Sequence, residues 1–220
     1  MGALAGTITM RCYFVPGEIP KDFKERYLKA LTKHRFADIN VDQGHEESIG
    51  WVSASDPFDV EFDLNKILWG SYLIAALRHD TIRLPATAFK LHLRRAVEEH
   101  CKKTGKEKLS KAEVEEVRDL LEKQLRKKAL PNIKVYDMVW NMERGVVWLW
   151  STNKKVNEQF LDFFEETFGL APHEKNPYTQ LELLGLSEEA VARVIEIEPA
   201  AMAAPPEALK PRRRGARADD

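Results

Sequence analysis

The sequence predicts an α+β fold with a mostly antiparallel sheet, long helices and a disordered C-terminal tail. Segments with alternating apolar residues, typical of strands, and segments with apolar residues three or four positions apart, typical of helices, follow one another in the order β-α-β-β-α-α-β-β-α. This order lacks the regular βαβ repetition of a doubly wound parallel sheet. No glycine-rich nucleotide-binding loop accompanies it.

The first strand and the first helix are predicted near the N-terminus. Residues 7–15 alternate between two faces, which hold Ile8, Met10, Cys12 and Phe14 on one side and Thr7, Thr9, Arg11 and Tyr13 on the other. Residues 20–35 change to helical spacing, with Pro20 in the first turn and an apolar stripe of Phe23, Tyr27 and Leu31.

Two more strands are predicted at residues 48–53 and 70–84, on either side of an acidic linker. The second has a continuous apolar run, which predicts a strand buried on both faces. After Pro85 the helical spacing returns and predicts a helix over residues 86–102, with an apolar stripe of Phe89, Leu93 and Val97.

A second helix of this pair is predicted from a capping signal. Gly105 ends the first helix, and Ser110 with Glu113 forms a capping box ahead of an apolar stripe of Val114, Val117, Leu121 and Leu125. Residues 133–140 and 146–152 then predict a hairpin around the turn NMERG. Asn153 is the expected N-cap of a third long helix, which ends at Gly169.

The predicted domain organisation has three parts. Residues 1–170 form the α+β region, residues 171–198 form an extension with a short helix after Ser187, and residues 199–220 are rich in Ala, Pro and Arg and are expected to be disordered. The first fifteen residues lack the charged region, apolar stretch and cleavage signature of a secretory leader, and no apolar run reaches the length of a membrane helix. We therefore expect a soluble, cytoplasmic protein.

Composition excludes a uniformly basic nucleic-acid binder and a disulfide-stabilised scaffold. The chain has 34 Lys and Arg against 35 Asp and Glu, and its two cysteines have no metal-ligand spacing. Residues 90–128 nevertheless contain thirteen Lys or Arg against eight Asp or Glu. This local excess predicts a grip on DNA phosphates by Arg94, Arg95, Lys102, Lys103, Lys106, Lys108, Lys111, Arg126, Lys127 and Lys128. The alternative is ordinary solvated helix surface.

Two further groups of residues are candidates for a functional role. The first is an aromatic set that would stack on unpaired bases or fill a sheet core: Tyr136, Trp140, Trp148 and Trp150. The second is Asp59, Glu61 and Asp63, whose alternate spacing would allow them to hold Mg²⁺ for nuclease chemistry or to form a solvated acidic loop. The six histidines show no metal-ligand spacing, and no nucleophile motif is present. The sequence thus favours a protein without a catalytic site, metal or cofactor, but leaves enzymatic activity undecided.

Three stretches, taken in order, carry a resemblance to a known family. They are GWVSASD at 50–56, the segment 73–125 beginning LIAALRHDTIRLP, and MVWNMERGVVWLWSTNKKVNEQFLDFFEETFG at 138–169. The succession of strand, long helix, Lys-rich break, second helix, tryptophan-bearing hairpin and final helix resembles the recombination-associated protein RdgC family. The likeness covers about the first 170 residues.

The resemblance implies a nucleoid-associated homodimer that binds single- and double-stranded DNA without marked sequence preference and acts in recombination. It also implies a ring around the duplex and restraint of RecA-driven strand exchange, and some members are labelled exonucleases. The basic break matches the family, so Lys102, Lys103, Lys106, Lys108 and Lys111 are carried over as phosphate contacts. Beyond residue 170 the sequence departs from the family's further C-terminal domain, which leaves ring closure open.

The sequence therefore supports a structural DNA-binding protein, with DNA and a second copy of the chain as partners and with no membrane. Two rival hypotheses stay open. One is a metal-dependent DNA exonuclease that uses the acidic run, and the other is a protein-interaction module whose helical pair binds another protein and whose lysines are incidental.

Overall fold

A seven-stranded antiparallel sheet is the central element of the protein. The computed structural model describes residues 2–3, 9–175, 179, 181 and 186–196. The strands are β1 Arg11–Phe14, β2 Glu47–Val52, β3 Leu68–Trp69, β4 Tyr72–Thr81, β5 Asn132–Asn141, β6 Val146–Leu149 and β7 His173–Glu174. Their order is β2-β4-β5-β6-β1-β7, and β3 pairs with the start of β4. The predicted α+β class with a mostly antiparallel sheet is confirmed.

Six α-helices and one short 3-10 helix, Val41–Gln43, are present in the described part of the chain. The α-helices are α1 Phe23–Lys33, α2 Leu64–Ile67, α3 Ala86–Thr104, α4 Lys111–Lys128, α5 Lys154–Phe168 and α6 Glu188–Ile195. The side chains of Asn153 and Ser187 cap α5 and α6 as predicted, and Gly169 ends α5 in the left-handed conformation. The sequence pattern missed α2, β3 and β7, because elements of two to four residues are too short to show a period.

The chain divides into two compact units, Met1–Lys175 and Asn176–Asp220. The first contains the whole sheet and helices α1 to α5, and α6 is the helix described in the second. The predicted disordered tail, residues 199–220, lies outside the described residues.

One face of the sheet packs against α1 and α5. Tyr27 of α1 contacts Trp140 of β5 and Phe168 of α5, with ring centroids 5.1 and 5.4 Å apart. Trp51 of β2 contacts the same Phe168, and its indole N–H donates to the hydroxyl of Thr167 at 2.9 Å. Because these aromatic side chains come from both helices and from separate strands, their burial fixes the helices on this face.

The face of β1 that packs against this core is the one that contains Arg11 and Tyr13, which is the more polar of its two faces. Tyr13 is fully buried, whereas Cys12 and Phe14 lie partly buried on the opposite face. Burial raises the pKa of Tyr13 to about 12, so its hydroxyl stays protonated and donates to Asn157 of α5. The strand covers four residues of the predicted nine, and residues 7 and 8 of that prediction lie outside the described residues.

The opposite face of the sheet contains a buried ion pair. Arg78 of β4 donates to both carboxylate oxygens of Asp80, at 2.9 and 2.6 Å, and to the carbonyl of Pro57 at 3.2 Å. Its guanidinium carbon lies 4.1 Å from the ring centroid of Phe36 and 4.9 Å from that of Phe58. These contacts hold the loop that contains Pro57 and Phe58 over this end of the sheet.

Gly50 is required by a close approach of two backbone segments. The chain after α1 runs beside β2, where Trp51 donates its N–H to the carbonyl of His34 and Phe36 donates to the carbonyl of Trp51. A Cβ atom at position 50 would lie 2.3 Å from the Cα of Phe36. The glycine of the GWV motif therefore permits this pairing.

The substitution Gly50→Ala should lower the free energy of unfolding by about 3 kcal/mol, because the clash involves backbone atoms that a rotamer change cannot relieve. The measurement is urea denaturation followed by circular dichroism. Gly44→Ala is the control, since a Cβ there meets no atom within 4 Å and only the left-handed backbone at φ +81° is strained, a cost of about 1 kcal/mol. Equal losses in the two variants would contradict the clash.

Candidate nucleic-acid interface

Helices α3 and α4 form a hairpin that does not contribute to the core of the sheet. α3 contains no buried residue, and α4 contains one, Val117. Val117 lines a cleft of the hairpin together with Ala96 and His100 of α3. The predicted apolar stripes are only partly buried. At 1.5 Å per residue, α4 gives this arm a length of roughly 27 Å.

The base of the arm is fixed by ion pairs. The guanidinium of Arg126 binds Glu122 at 2.6 Å and Glu46 at 2.7 Å, and the ammonium of Lys127 binds Asp42. The hydrogen bonds that Arg126 donates to Glu46 and to Glu122, the former being the larger cause, raise the pKa of Arg126. The side chain of Arg126 is 17% exposed. Two of the basic residues predicted to contact DNA are thus engaged by carboxylates that join α4 to the segment preceding β2.

The free end of the arm carries the lysines around the helical break. Lys102, Lys103, Lys106, Lys108 and Lys111 are all exposed. Lys106 pairs with Glu113, and none of the other four is in an ion pair with a described residue. We call Lys102, Lys103, Lys108 and Lys111 the tip lysines. All four lie within ten positions of one another, at the end of α3, in the break and at the start of α4.

The capping box orders the start of α4 beside the tip lysines. Ser110 accepts from the N–H of Glu113, and the Glu113 carboxylate accepts from the N–H and hydroxyl of Ser110 at 2.8 and 2.9 Å. The ammonium of Lys106, followed by these bonds from Ser110, lowers the pKa of Glu113 to about 2. The break between the helices is therefore a structured turn, with Gly105 in the left-handed conformation at φ +67°.

The remaining predicted contact residues lie elsewhere on the arm. Arg95 pairs with Glu99 at 3.2 Å. Arg94 on α3 and Lys128 at the end of α4 are exposed, and no ion pair of the described residues involves either. Of the ten predicted residues, six are consequently free of carboxylates in the described part of the chain, and four of those six are the tip lysines.

The predicted aromatic set does not form one surface. Trp140 is 1% exposed in the core, and Tyr136 shares its face. Trp148 lies on the other face and, like Trp150, is partly buried. Among the described residues, the exposed aromatic side chains are different ones, Phe58, Trp69 and Tyr72, which the sequence pattern did not single out. For Trp69 the available signal was the adjacent Gly-Ser, which marks a turn.

In the acidic run, Asp59 and Asp63 contact residues that are close to them in the sequence. The carboxylate of Asp63 caps α2 by accepting from the N–H groups of Asn65 and Lys66, and Asp59 binds the ammonium of Lys66 at 2.8 Å. Hydrogen bonding from Lys66 lowers the pKa of Asp59. Within the described residues no group of three or more His, Cys, Asp or Glu is arranged to hold a metal ion. Among the same residues, no helix is both long and apolar enough to cross a membrane.

Glu113→Gln should loosen the tip because the Lys106 ion pair requires the carboxylate, and because glutamine has one acceptor oxygen where Glu113 uses two, one for Lys106 and one for Ser110. The folded pKa lies below the usual value of 4.5, so the stabilisation is fully present above pH 4.5 and is lost as the pH falls through about 2. Amide hydrogen exchange of residues 106–114 should therefore be faster in the variant at pH 7. An NMR titration in which Glu113 protonates near pH 4.5 would contradict this assignment.

Comparison with known proteins identifies one family. The family model with the description "Putative exonuclease, RdgC" matches residues 11–183, which include the complete sheet and the helical arm. A search of curated proteins finds no significant match. Family membership supports a recombination-associated DNA-binding role at the level of the family. On the extent of this match, the chain belongs to the RdgC family.

Proposed function

We propose that the protein binds DNA without sequence preference in recombination or nucleoid organisation, and that the tip lysines hold the phosphate backbone. The observation that carries this proposal is the tip itself: four exposed lysines, free of carboxylate partners among the described residues, at the end of an arm that has no role in the sheet core. Family membership supplies the expectation of DNA as the polyanion.

The chemistry of the tip fits a backbone contact. A lysine ammonium is a strongly hydrated point charge on a flexible stem, which neutralises phosphates without reading the edges of bases. Each neutralised phosphate releases condensed counterions, so affinity would depend steeply on salt. Single and double strands both present phosphates, and we propose that the tip binds both.

A second contact is proposed at the base of the arm. Lys128 is exposed at the C-terminal end of α4, whereas Lys111 of the tip is at its N-terminal end. The two ends are roughly 27 Å apart, which corresponds to about eight base pairs of a duplex. Arg126 and Lys127 belong to this contact only if DNA phosphates replace their carboxylate partners.

The finer part of the proposal comes from the family resemblance. It consists of a homodimer that encloses the duplex, location on the nucleoid and restraint of RecA-driven strand exchange. Sedimentation equilibrium of the full chain gives the oligomeric state. A strand-exchange assay with RecA, with the protein added before or after filament formation, tests the restraint.

The two rival hypotheses have different support. A protein-interaction module remains in competition, because Leu91 and Leu120 are exposed apolar residues on the arm. Undetectable DNA binding at low salt would favour it. The exonuclease hypothesis has less support, because Asp59 pairs with Lys66 and Asp63 caps α2.

Replacement of the four tip lysines by alanine should make the log–log dependence of duplex affinity on salt shallower by three to four, at about 0.9 for each lost phosphate contact. Fluorescence anisotropy with a labelled duplex at several salt concentrations measures the slope. The matched control replaces four exposed lysines in and before α1, which lowers the net charge equally: Lys21, Lys24, Lys29 and Lys33.

This comparison separates local contact from overall charge. Equal changes in the salt dependence of duplex affinity in the two variants would mean that only net charge matters. They would contradict a direct contact between the tip lysines and DNA phosphates. An unchanged slope in the tip variant would remove the arm from the DNA interface.

A further inference from the structure

Two exposed aromatic side chains stand side by side at one end of the sheet. Trp69 of β3 is 61% exposed and Tyr72 of β4 is 39% exposed. They are directly opposite one another in the β3–β4 ladder, joined by Gly70 and Ser71. Gly70 has φ +62°, which fits the first central position of a two-residue hairpin turn. Residues opposite in a ladder point to the same side, so both rings lie on one face of the hairpin.

That face is the one opposite the α1–α5 core. Leu68 and Leu73, which alternate with the aromatic pair, join the core on the other side. Neither Trp69 nor Tyr72 packs against another aromatic ring of the described residues, and the structure gives their polar atoms no hydrogen-bond partner there. Large parts of both rings are therefore left in solvent without an aromatic or hydrogen-bond partner in the described chain, although tryptophan is highly buried on average.

An unpaired cation lies on the adjacent turn. Tyr72 pairs with Asn141 in the β4–β5 ladder, and the N–H of Met142 donates to the carbonyl of Ser71 at 3.0 Å. Arg144 follows in the same turn, is exposed, and is in no ion pair with a described residue. The neighbouring Glu143 is also exposed, so this turn has little net charge.

We propose that Trp69 and Tyr72 form a stacking platform for the unpaired bases of a single DNA strand, with Arg144 placed to contact the strand's backbone. The indole and phenol rings are the two large flat surfaces available on this hairpin, and every base has a flat face that can stack on them. The proposal rests on the proposed function for the identity of its ligand. It assigns a second site, on a different element from the tip lysines and with a different basis of affinity.

Stacking and phosphate neutralisation differ in their dependence on salt. At the tip, binding releases counterions, and affinity falls steeply as salt rises. At the aromatic pair, where Glu143 offsets Arg144, the contribution of the rings is largely independent of salt. High salt should therefore weaken duplex binding more than it weakens binding of a single strand with accessible bases.

The test compares two single strands of about 12 nucleotides, one of deoxythymidine and one in which most sites are abasic, by fluorescence anisotropy. The abasic strand keeps the phosphates and lacks the bases. The variants are Trp69→Leu, Tyr72→Leu and the double substitution, with Trp69→Phe as the matched control that keeps an aromatic ring. Each is measured in the natural chain and together with the four tip substitutions, which reduces the phosphate contribution.

The natural chain should bind the deoxythymidine strand more tightly than the abasic strand. Trp69→Leu should weaken deoxythymidine binding by about tenfold, Tyr72→Leu should also weaken it, and Trp69→Phe should retain most of the affinity. Binding of the abasic strand should not change in any of these variants. Because both positions are exposed, unfolding midpoints should be unaltered, which excludes a structural cause.

Equal effects on the deoxythymidine and abasic strands, or no effect on either, would overturn the proposal. An altered oligomeric state of Trp69→Leu with unchanged oligonucleotide affinity would also overturn it and would assign the pair to a protein interface. The result for the stacking platform can be distinguished from the result for the tip lysines. If the four tip substitutions leave duplex binding unchanged while Trp69→Leu abolishes the preference for bases, the proposed phosphate grip fails and the stacking platform stands.

Discussion

The one-sided packing of aromatic residues between the sheet and helices α1 and α5 is the constraint on which the rest of the structure depends. Trp51, Trp140, Tyr27, Phe164 and Phe168 come from four elements and are buried together. Each of these residues removes a large apolar area from water, and the tilted and edge-on ring contacts fix how they fit. Helices α1 and α5 both cover this face of the sheet.

Because α1 and α5 cover that face, the helical arm of α3 and α4 lies outside the core. α3 and α4 form a hairpin whose apolar stripes are only partly buried, and the two helices supply no residue to the buried core of the sheet. Ion pairs of Arg126 and Lys127 join the base of the arm to its surroundings. The opposite end is left in solvent, and four lysines without carboxylate partners in the described chain are exposed there. A nearly neutral protein thereby presents a locally positive surface.

The opposite face of the sheet shows how burial and exposure are divided within a single strand. At one end of β4, Arg78 and Asp80 are buried as a hydrogen-bonded pair beneath Phe36 and Phe58. At the other end of the same face, Tyr72 is in solvent beside Trp69. The charged pair Arg78 and Asp80 is therefore structural, whereas Tyr72 at the start of β4 and Trp69 of β3 make no ring contact or side-chain hydrogen bond with the described residues. Residue type alone would have suggested the reverse.

By itself, the sequence determined the class of the fold, the limits of the long helices and the position of the basic tip. These depend on local physics: Ser110 with Glu113, Asn153 and Gly169 cap their helices by interactions within a few residues. Tertiary structure decided which face of each strand is buried, and so placed Tyr13 and Trp140 in the core and Trp69 in solvent. It also decided which basic residues are free, because Arg126 meets Glu46 from 80 positions away. Hydrophobic periodicity and composition report only on residues that are close in the sequence. The pairing of Arg126 with Glu46 depends instead on which distant segments the packed core brings together.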